Sequence, residues 1–284
     1  MKKAIFLVFV PVLLFGIKLN SRAQVLEGPP RDGVYDKTAI TQMLPIPYSP
    51  LREADVIWSK RLWRVIDMRE KINQPFYFPM TPQNGWRSFV QIIMDAMKEG
   101  TIQAYSELSD QFLYPISYKE LMDKMETTKK VTLKRPDNPD MEFDTVITQH
   151  FNPSDVYKIR LKEDYFFDRQ RSVMEVRILG ICPMVNSYDE KGEYRGDKPL
   201  FWIYFPECRN VLSKNEQFNL HNGSAARLSY DDVFMKRMFN SYIYKEENVF
   251  DRQINEYAAG VDALMESERA KNSLLEFEES LWEY

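Results

Sequence analysis

The chain has 284 residues, a formal net charge of −4, two cysteines and two histidines. An acidic chain has no general attraction for polyphosphate, so the charge argues against nucleic acid as a partner. Beyond the first 23 residues, no stretch approaches the ~18 consecutive apolar residues of a membrane-spanning helix. Aromatic residues make up 14% of the chain, a composition that suits a packed core or large contact surfaces.

Residues 1–23 have the pattern of a secretory signal peptide. Two lysines open the segment, an apolar run fills residues 4–17, and small residues at 21 and 23 precede a cleavage site before Gln24. An uncleaved anchor or a buried helix is the alternative. No cysteine follows the site, so the sequence predicts an exported protein without a lipid at that position. Cleavage removes four basic residues and no acidic one, which takes the charge from −4 to about −8.

Residues 24–50 form a segment rich in proline, glycine and polar residues, which predicts an extended N-terminal arm. Leu44, Ile46 and Tyr48 alternate along it as apolar side chains. The arm is either a loose leader or a segment that docks on a neighbouring molecule. In the second case these three residues are its contacts.

The next part of the chain predicts three helices and a short strand. A helix over residues 51–73 is indicated by apolar residues at helical spacing, and it contains Trp63 and Arg64. A second helix is predicted over residues 86–98, with Gly100 as its C-terminal stop. A short strand over 101–105 follows. Ser117 and Glu120 form a capping box for a third helix that runs to residue 125.

Residues 134–144 read as a polar link and a possible sub-boundary. Strands are predicted around 156–162, 174–178 and 200–205 as a small antiparallel sheet, with a turn near residue 192. This register places Cys182 opposite residue 202 or so, and Cys208 roughly 20 Å further along. A disulfide between Cys182 and Cys208 therefore requires the chain to fold back. Two buried thiols are the alternative.

The last 55 or so residues predict further helices. Ser229 precedes two aspartates at a helix N-terminus. A break is predicted over 242–248, and helices over 251–282 end in an acidic tail with an amphipathic face. That face packs either on the chain's own core or on another chain. The expected fold class is thus α+β: helices flanking a small antiparallel sheet, preceded by the arm, with residues 51–284 as a single domain.

The sequence contains no recognisable set of catalytic residues. His150 and His221 lie far apart in the sequence, and the motifs for a zinc site, a phosphate-binding loop and a serine hydrolase elbow are absent. We therefore expect no catalytic, cofactor-binding or metal site and no cofactor. The alternative is a periplasmic hydrolase or glycan-binding module, which requires a cleft with two acids or an aromatic platform.

Two blocks resemble the GldN/PorN family of the type IX secretion and gliding machinery of Bacteroidetes. The first is residues 55–75, Asp-Val-Ile-Trp-Ser-Lys-Arg-Leu-Trp-Arg-Val-Ile-Asp followed by Arg-Glu-Lys-Ile-Asn-Gln-Pro after one residue. The second includes Tyr-Asp-Asp at 230–232, Ser-Tyr-Ile at 241–243 and Tyr-Ala-Ala-Gly-Val-Asp-Ala-Leu at 257–264. The likeness covers nearly all of the chain after the signal peptide.

The resemblance implies a periplasmic, non-enzymatic subunit that self-associates in a ring beneath the outer membrane. It also implies two partners: an outer-membrane lipoprotein of the GldK/PorK kind and the periplasmic part of an inner-membrane motor protein of the GldM/PorM kind. Export without a lipid site agrees with a subunit held by a lipidated partner. The candidate interface residues are Leu44, Ile46, Tyr48, Trp63 and Arg64, since aromatic and arginine side chains dominate binding energy at interfaces.

Overall fold

The computed structural model describes residues 40–83, 85–135, 138–149, 151–189, 193–218 and 227–281. The predicted signal peptide, His150 and His221 lie outside the described residues. Residues 39–284 form one compact unit. The strands are β1 Val56–Asp67, β2 Ala104–Tyr105, β3 Pro115–Ile116, β4 Thr127–Arg135, β5 Asn138–Gln149, β6 Val156–Asp168, β7 Val173–Tyr188, β8 Tyr194–Pro199, β9 Trp202–Tyr204 and β10 Tyr242–Glu246. The helices are α1 Gln74–Tyr77, α2 Phe89–Lys98, α3 Tyr118–Met125, α4 Phe205–Leu212, α5 Tyr230–Met235, α6 Ile254–Tyr257 and α7 Val261–Ser280.

An eight-stranded antiparallel sheet organises the described residues. Its order is β10-β1-β6-β7-β9-β2-β3, and β8 pairs with the far end of β7. The α+β class is confirmed, although the sheet is larger than the small meander that the sequence predicted. Its two central pairings are long: Arg64 lies opposite Leu161 on β6, and Leu161 lies opposite Ile181 on β7.

The helix predicted over residues 51–73 is wrong, because residues 56–67 form the strand β1. Residues 62–66 are all buried, so β1 is covered on both faces and lacks the polar–apolar alternation of a half-exposed strand. Because every residue of this stretch is buried, its apolar residues also fit helical spacing. The short 3₁₀ turn Glu53–Asp55 precedes the strand.

The polar link predicted over residues 134–144 is also wrong, since β4 and β5 pair there as a separate two-stranded ribbon. Thr127 lies opposite Gln149 at its base, and Leu133 lies opposite Phe143 near its far end. Both strands make their main contacts with each other. The break predicted over 242–248 is a third misassignment, because Tyr242–Glu246 is the edge strand β10.

The main core lies between the sheet and helices α1 to α5. Ile66, Ile159 and Ile181 face this core from three neighbouring strands. Trp63 and Val65 belong to the opposite face of β1, where they cluster with Cys182, Trp202 and Tyr244. A third cluster joins Leu62 and Ile243 to Leu274 on α7.

The capping box predicted at Ser117 and the helix start predicted at Ser229 are confirmed, at the starts of α3 and α5. Ser229 also forms a capping box with Asp232, and so does Ser88 with Gln91 at the start of α2, and neither of these boxes was predicted from the sequence. Gly100 has a φ of +75°, the left-handed backbone that ends α2 at little cost for glycine.

The two cysteines are free and buried in this structure. Gly180 pairs with Tyr204 and Ile181 with Ile203, so the predicted alignment of Cys182 with residue 202 is confirmed. Cys208 lies on α4, beyond the end of β9, and its Sγ lies 3.2 Å from the Tyr204 carbonyl oxygen. The possible disulfide between Cys182 and Cys208 is therefore not formed here, because the chain turns into a helix instead of folding back.

Candidate functional site

The described part of the arm lies against its own domain. Three donors contact its carbonyl groups: Ser213 Oγ bonds Met43 O at 3.2 Å, Arg209 Nη2 bonds Ile46 O at 2.7 Å, and Arg177 Nη2 bonds Ser49 O at 2.7 Å. We call residues 43–49 the docked arm, and Glu175, Arg177, Arg209 and Ser213 the arm groove. The groove therefore reads the main chain of the arm at every third residue.

Tyr48 is the side chain that fixes the arm in the groove. Its ring lies 4.4 Å from the Arg209 guanidinium carbon and 5.0 Å from that of Arg177. Two cations over one ring are each worth about 0.5–2 kcal/mol, depending on desolvation. The Tyr48 hydroxyl is buried without a hydrogen-bond partner, and burial raises the pKa of this side chain. The ring and not the hydroxyl therefore anchors the arm.

Contacts within the domain hold both groove arginines in position. Arg209 on α4 forms a two-pronged pair with Asp231 in the first turn of α5, at 2.8 and 3.0 Å. Both side chains are only 6% exposed. Arg177 on β7 lies over the Phe166 ring at 5.2 Å. Because these contacts fix both guanidinium groups, the groove is pre-organised for an extended segment.

Docking leaves two apolar side chains of the arm in water. Leu44 is 76% exposed and Ile46 is 73% exposed, although the carbonyl of Ile46 is bound to Arg209. The structure thus holds the main chain of the arm and presents Leu44 and Ile46 outward. These are two of the residues that the sequence predicts as contacts of the arm.

Trp63 and Arg64 lie elsewhere, inside the fold. Trp63 is 6% exposed, and its Nε1 donates to Asp110 Oδ2 at 2.7 Å. Arg64 is buried beside Glu163, at 3.2 Å, and donates to the Tyr165 hydroxyl at 3.0 Å. Neither side chain is available to a partner in this structure, because the strand that carries them lies inside the sheet, between β10 and β6.

A second exposed apolar surface lies on the C-terminal helix. Leu274 packs into the core, and the Trp58 ring stacks on Phe277 at 4.3 Å between ring centroids. Val261, Leu264 and Met265 are exposed at the start of α7. The amphipathic tail thus packs on its own core with one face and leaves these three apolar residues uncovered.

An aromatic pocket lies between α1 and the start of β6. Its lining includes Tyr77, Phe78, Tyr157 and Phe218, with a volume of about 560 Å³. The Tyr77 and Tyr157 rings stack at 5.7 Å between centroids, and Phe78 packs on Phe218 at 4.6 Å. Such a pocket suits a flat or apolar ligand group.

The sequence did not reveal the groove residues Arg177 and Arg209, or Asp231, which pairs with Arg209. Arg209 lies 161 positions after Tyr48 in the printed sequence, and no local pattern joins residues so far apart. Within the described ranges, no group of three or more His, Cys, Asp or Glu residues is arranged to hold a metal ion. No helix in that same part of the chain combines the length and hydrophobicity needed to cross a bilayer.

Comparison with known proteins gives one family. The model of the family described as "Gliding motility associated protein GldN" matches residues 51–283. The comparison with curated proteins found no match. The family match includes the whole main sheet and the arm groove, and it begins just after the docked arm. The chain therefore belongs to the GldN family, and membership implies a component of the gliding motility and type IX secretion machinery.

Proposed function

We propose that the protein is a non-enzymatic structural subunit of a periplasmic ring complex in the type IX secretion and gliding machinery. Its proposed partners are an outer-membrane lipoprotein of the GldK/PorK kind, the periplasmic part of a motor protein of the GldM/PorM kind, and further copies of itself. The proposed location is the periplasm, against the inner face of the outer membrane. The observation that carries the proposal is the docked arm, which presents Leu44 and Ile46 to solvent.

The physical argument is the free energy of covering these side chains. Full burial of a leucine or isoleucine side chain is worth about 1.5–3 kcal/mol. Ordering an extended segment normally costs about 1–2 kcal/mol per residue in backbone entropy. Arg177, Arg209 and Ser213 already hold the arm in the unbound chain, so a partner that covers Leu44 and Ile46 avoids much of that cost.

A subunit of a ring needs contacts on more than one side. The exposed start of α7, with Val261, Leu264 and Met265, supplies a second apolar surface that belongs to a different element from the arm. We assign the arm to the lipoprotein and to self-association, and the start of α7 to the motor protein.

The test is co-purification from detergent-solubilised envelopes with a tagged full-length chain. We expect the wild type to bring down envelope proteins in a large assembly. The double variant Leu44→Asp/Ile46→Asp should co-purify with at least tenfold less of the lipoprotein than the wild type does. Leu108→Asp is the matched control, because Leu108 is 86% exposed but lies outside the arm and α7, and it should leave capture unchanged. A wild-type chain recovered as a monomer without envelope proteins would contradict the proposal.

The aromatic pocket supports a second candidate, a glycan-binding module. Sugar rings present flat apolar faces, which an aromatic-lined pocket such as that of Tyr77, Phe78, Tyr157 and Phe218 accommodates. The test is co-sedimentation of the full-length chain with purified peptidoglycan sacculi. This candidate predicts saturable binding that Phe78→Ala reduces and Leu108→Ala does not. Binding that is absent, or unchanged by Phe78→Ala, would count against it.

A further inference from the structure

The arm groove binds an extended segment, mainly through the main-chain carbonyl groups of that segment. The bound carbonyls of Met43, Ile46 and Ser49 are three residues apart. Three residues is the period of the polyproline II helix, which the prolines at 45, 47 and 50 favour. Proline-rich segments of this type dock with little loss of entropy because they are extended before binding. None of these groove contacts requires the docked arm to belong to the same chain as the groove.

The connection from the arm to the sheet permits a different path. Ser49 is held by Arg177 on β7, and the next fixed point is Asp55, whose carbonyl accepts from Arg169 N at 2.8 Å. Pro50 and Arg52 between them are exposed. A change of backbone dihedral angles there redirects the arm without breaking a strand pairing. Six peptide steps from Ser49 to Asp55 reach about 20 Å, at 3.3–3.6 Å per residue.

We propose that in the assembled protein each arm lies in the arm groove of a neighbouring copy. Tyr48 of one copy then lies between Arg177 and Arg209 of the next. Exchange keeps every groove contact, since the exchanged element is identical, and this makes it a low-cost route to association. It also places Leu44 and Ile46 at the junction between copies, where they still face away from the groove and remain available to the lipoprotein partner. This inference rests on the self-association in the proposed function and names the segment responsible for it.

A head-to-tail arm is a heterologous contact: the arm of each copy uses a surface different from the groove that receives the next arm. Such contacts generate closed rings when the rotation between copies closes. A two-fold dimer would instead satisfy both arms at once. The reach of about 20 Å requires the groove of each copy to lie close to the start of β1 in the next.

The first test is complementation between two full-length variants that carry different tags. Tyr48→Ala removes the anchor of the arm and keeps the groove, whereas Arg177→Ala weakens the groove and keeps the arm. Each variant alone should self-associate at least tenfold more weakly than the wild type. Co-expression should restore capture of one tag through the other, because the arm of the Arg177→Ala chain enters the intact groove of the Tyr48→Ala chain.

The second test does not depend on the stability of those variants. A photo-crosslinking benzoylphenylalanine in place of Tyr48 should attach to residues near 177 and 209, with the product at the mass of two chains. Product only at the mass of one chain, in a preparation that assembles, overturns the exchange. The same holds if the wild type assembles but co-expressed variants do not recover.

These outcomes separate the exchange from the proposed function. If the wild type assembles with envelope partners but crosslinks only within one chain, the proposed function stands and the exchange is wrong. If the wild type is monomeric under every envelope condition, self-association fails and the exchange fails with it. Tyr48→Phe is the matched control for the complementation test, because it keeps the ring between the two arginines and should assemble like the wild type.

Discussion

The indole Nε1 of Trp63 donates a 2.7 Å hydrogen bond to Asp110 Oδ2, which connects strand β1 to the loop between β2 and β3. Lys162 on β6 donates to the Asp110 carbonyl at 2.7 Å and secures the same loop. One loop residue thus connects two neighbouring strands. The loop covers the face of the sheet opposite the main core, where Phe112 packs edge-on against Trp202 at 6.4 Å.

Trp63→Phe should therefore act on stability and not on partner binding. Loss of a hydrogen bond to a charged group costs about 1.5–3 kcal/mol, and a urea denaturation curve measures it. Trp86→Phe is the control, since Trp86 packs edge-on against Phe218 at 5.3 Å, away from this loop. A stable Trp63→Phe chain that no longer captures envelope proteins would show that the side chain reaches a partner after all.

The carboxylate of Glu163 is fully buried between two arginines. Arg237 contacts both oxygens at 2.9 and 3.1 Å, and Arg64 lies 3.2 Å away. Glu163→Gln leaves two cations without their counter-charge and should lower the free energy of unfolding by about 3–5 kcal/mol. Asp95→Asn, which breaks the exposed pair with Arg87, should cost at most about 1 kcal/mol. Equal losses in the two variants would contradict this account.

Both thiols should resist alkylation in the native protein. Cys182 and Cys208 are buried, and burial raises the pKa of Cys182 to about 12 and that of Cys208 in the same direction. We expect no iodoacetamide adduct at pH 8 and two adducts after unfolding without reductant, detected by mass spectrometry. A chain that needs reductant before it reacts would contain a disulfide.

The same shift gives a pH dependence of stability. An unfolded thiol ionises near its ordinary pKa of 9.0, whereas the folded thiol of Cys182 stays protonated to about 12. The stabilising contribution is therefore complete below pH 9 and is lost as the pH rises from 9 towards 12. Cys182→Ala should flatten this part of the stability profile, measured as the urea midpoint at several pH values.

The ribbon of β4 and β5 should be dispensable for the fold. Thr127 and Gln149 face each other at its base, so an Asn-Gly turn can join them in place of residues 128–148. The strands make their main contacts with each other, and we expect the unfolding free energy to change by less than about 1 kcal/mol. A shortened chain that fails to fold would show that the ribbon supports the main sheet.

Tyr48 should control the exposure of the arm to protease. Tyr48→Ala removes the ring between Arg177 and Arg209 and should speed limited proteolysis within residues 40–50 about tenfold or more. Tyr48→Phe should match the wild type, since the hydroxyl it removes is buried and has no hydrogen-bond partner. Equal cleavage rates in all three proteins would show that the carbonyl contacts alone hold the arm.

Local signals in the sequence predicted local structure well. The capping box at Ser117, the helix start at Ser229, the stop at Gly100 and the alignment of Cys182 with residue 202 all depend on neighbours within a few residues or one hairpin. The misreadings are of another kind. Residues 62–66 are buried on both faces of β1, which removes the alternation that marks a strand. Asn138 and Pro139 in β5 resemble loop residues, although they lie at the tip of a ribbon.

For the same reason, the sequence predicted one half of the candidate site, the arm, but not the groove that binds it. Leu44, Ile46 and Tyr48 stand out in a proline-rich segment, so the sequence identified the arm. The arginines that hold it come from β7 and α4, and they meet only after the sheet has formed. The burial of Trp63 and Arg64 was not predictable, because a sequence shows residue type but not depth, and aromatic and arginine side chains are common both at interfaces and in buried clusters.

The pairing of β1 with β10 has a consequence for how the molecule matures. Arg61 and Glu247 hydrogen-bond across a separation of 186 residues, so the earliest long strand acquires its outer neighbour almost last. Pairings so distant along the chain form slowly. A polypeptide that emerges N-terminus first, from a ribosome or a translocation channel, therefore cannot complete its sheet until nearly all of the chain has emerged. Truncation of the final forty-odd residues would remove β10 and leave the outer edge of β1 without a hydrogen-bonded neighbour.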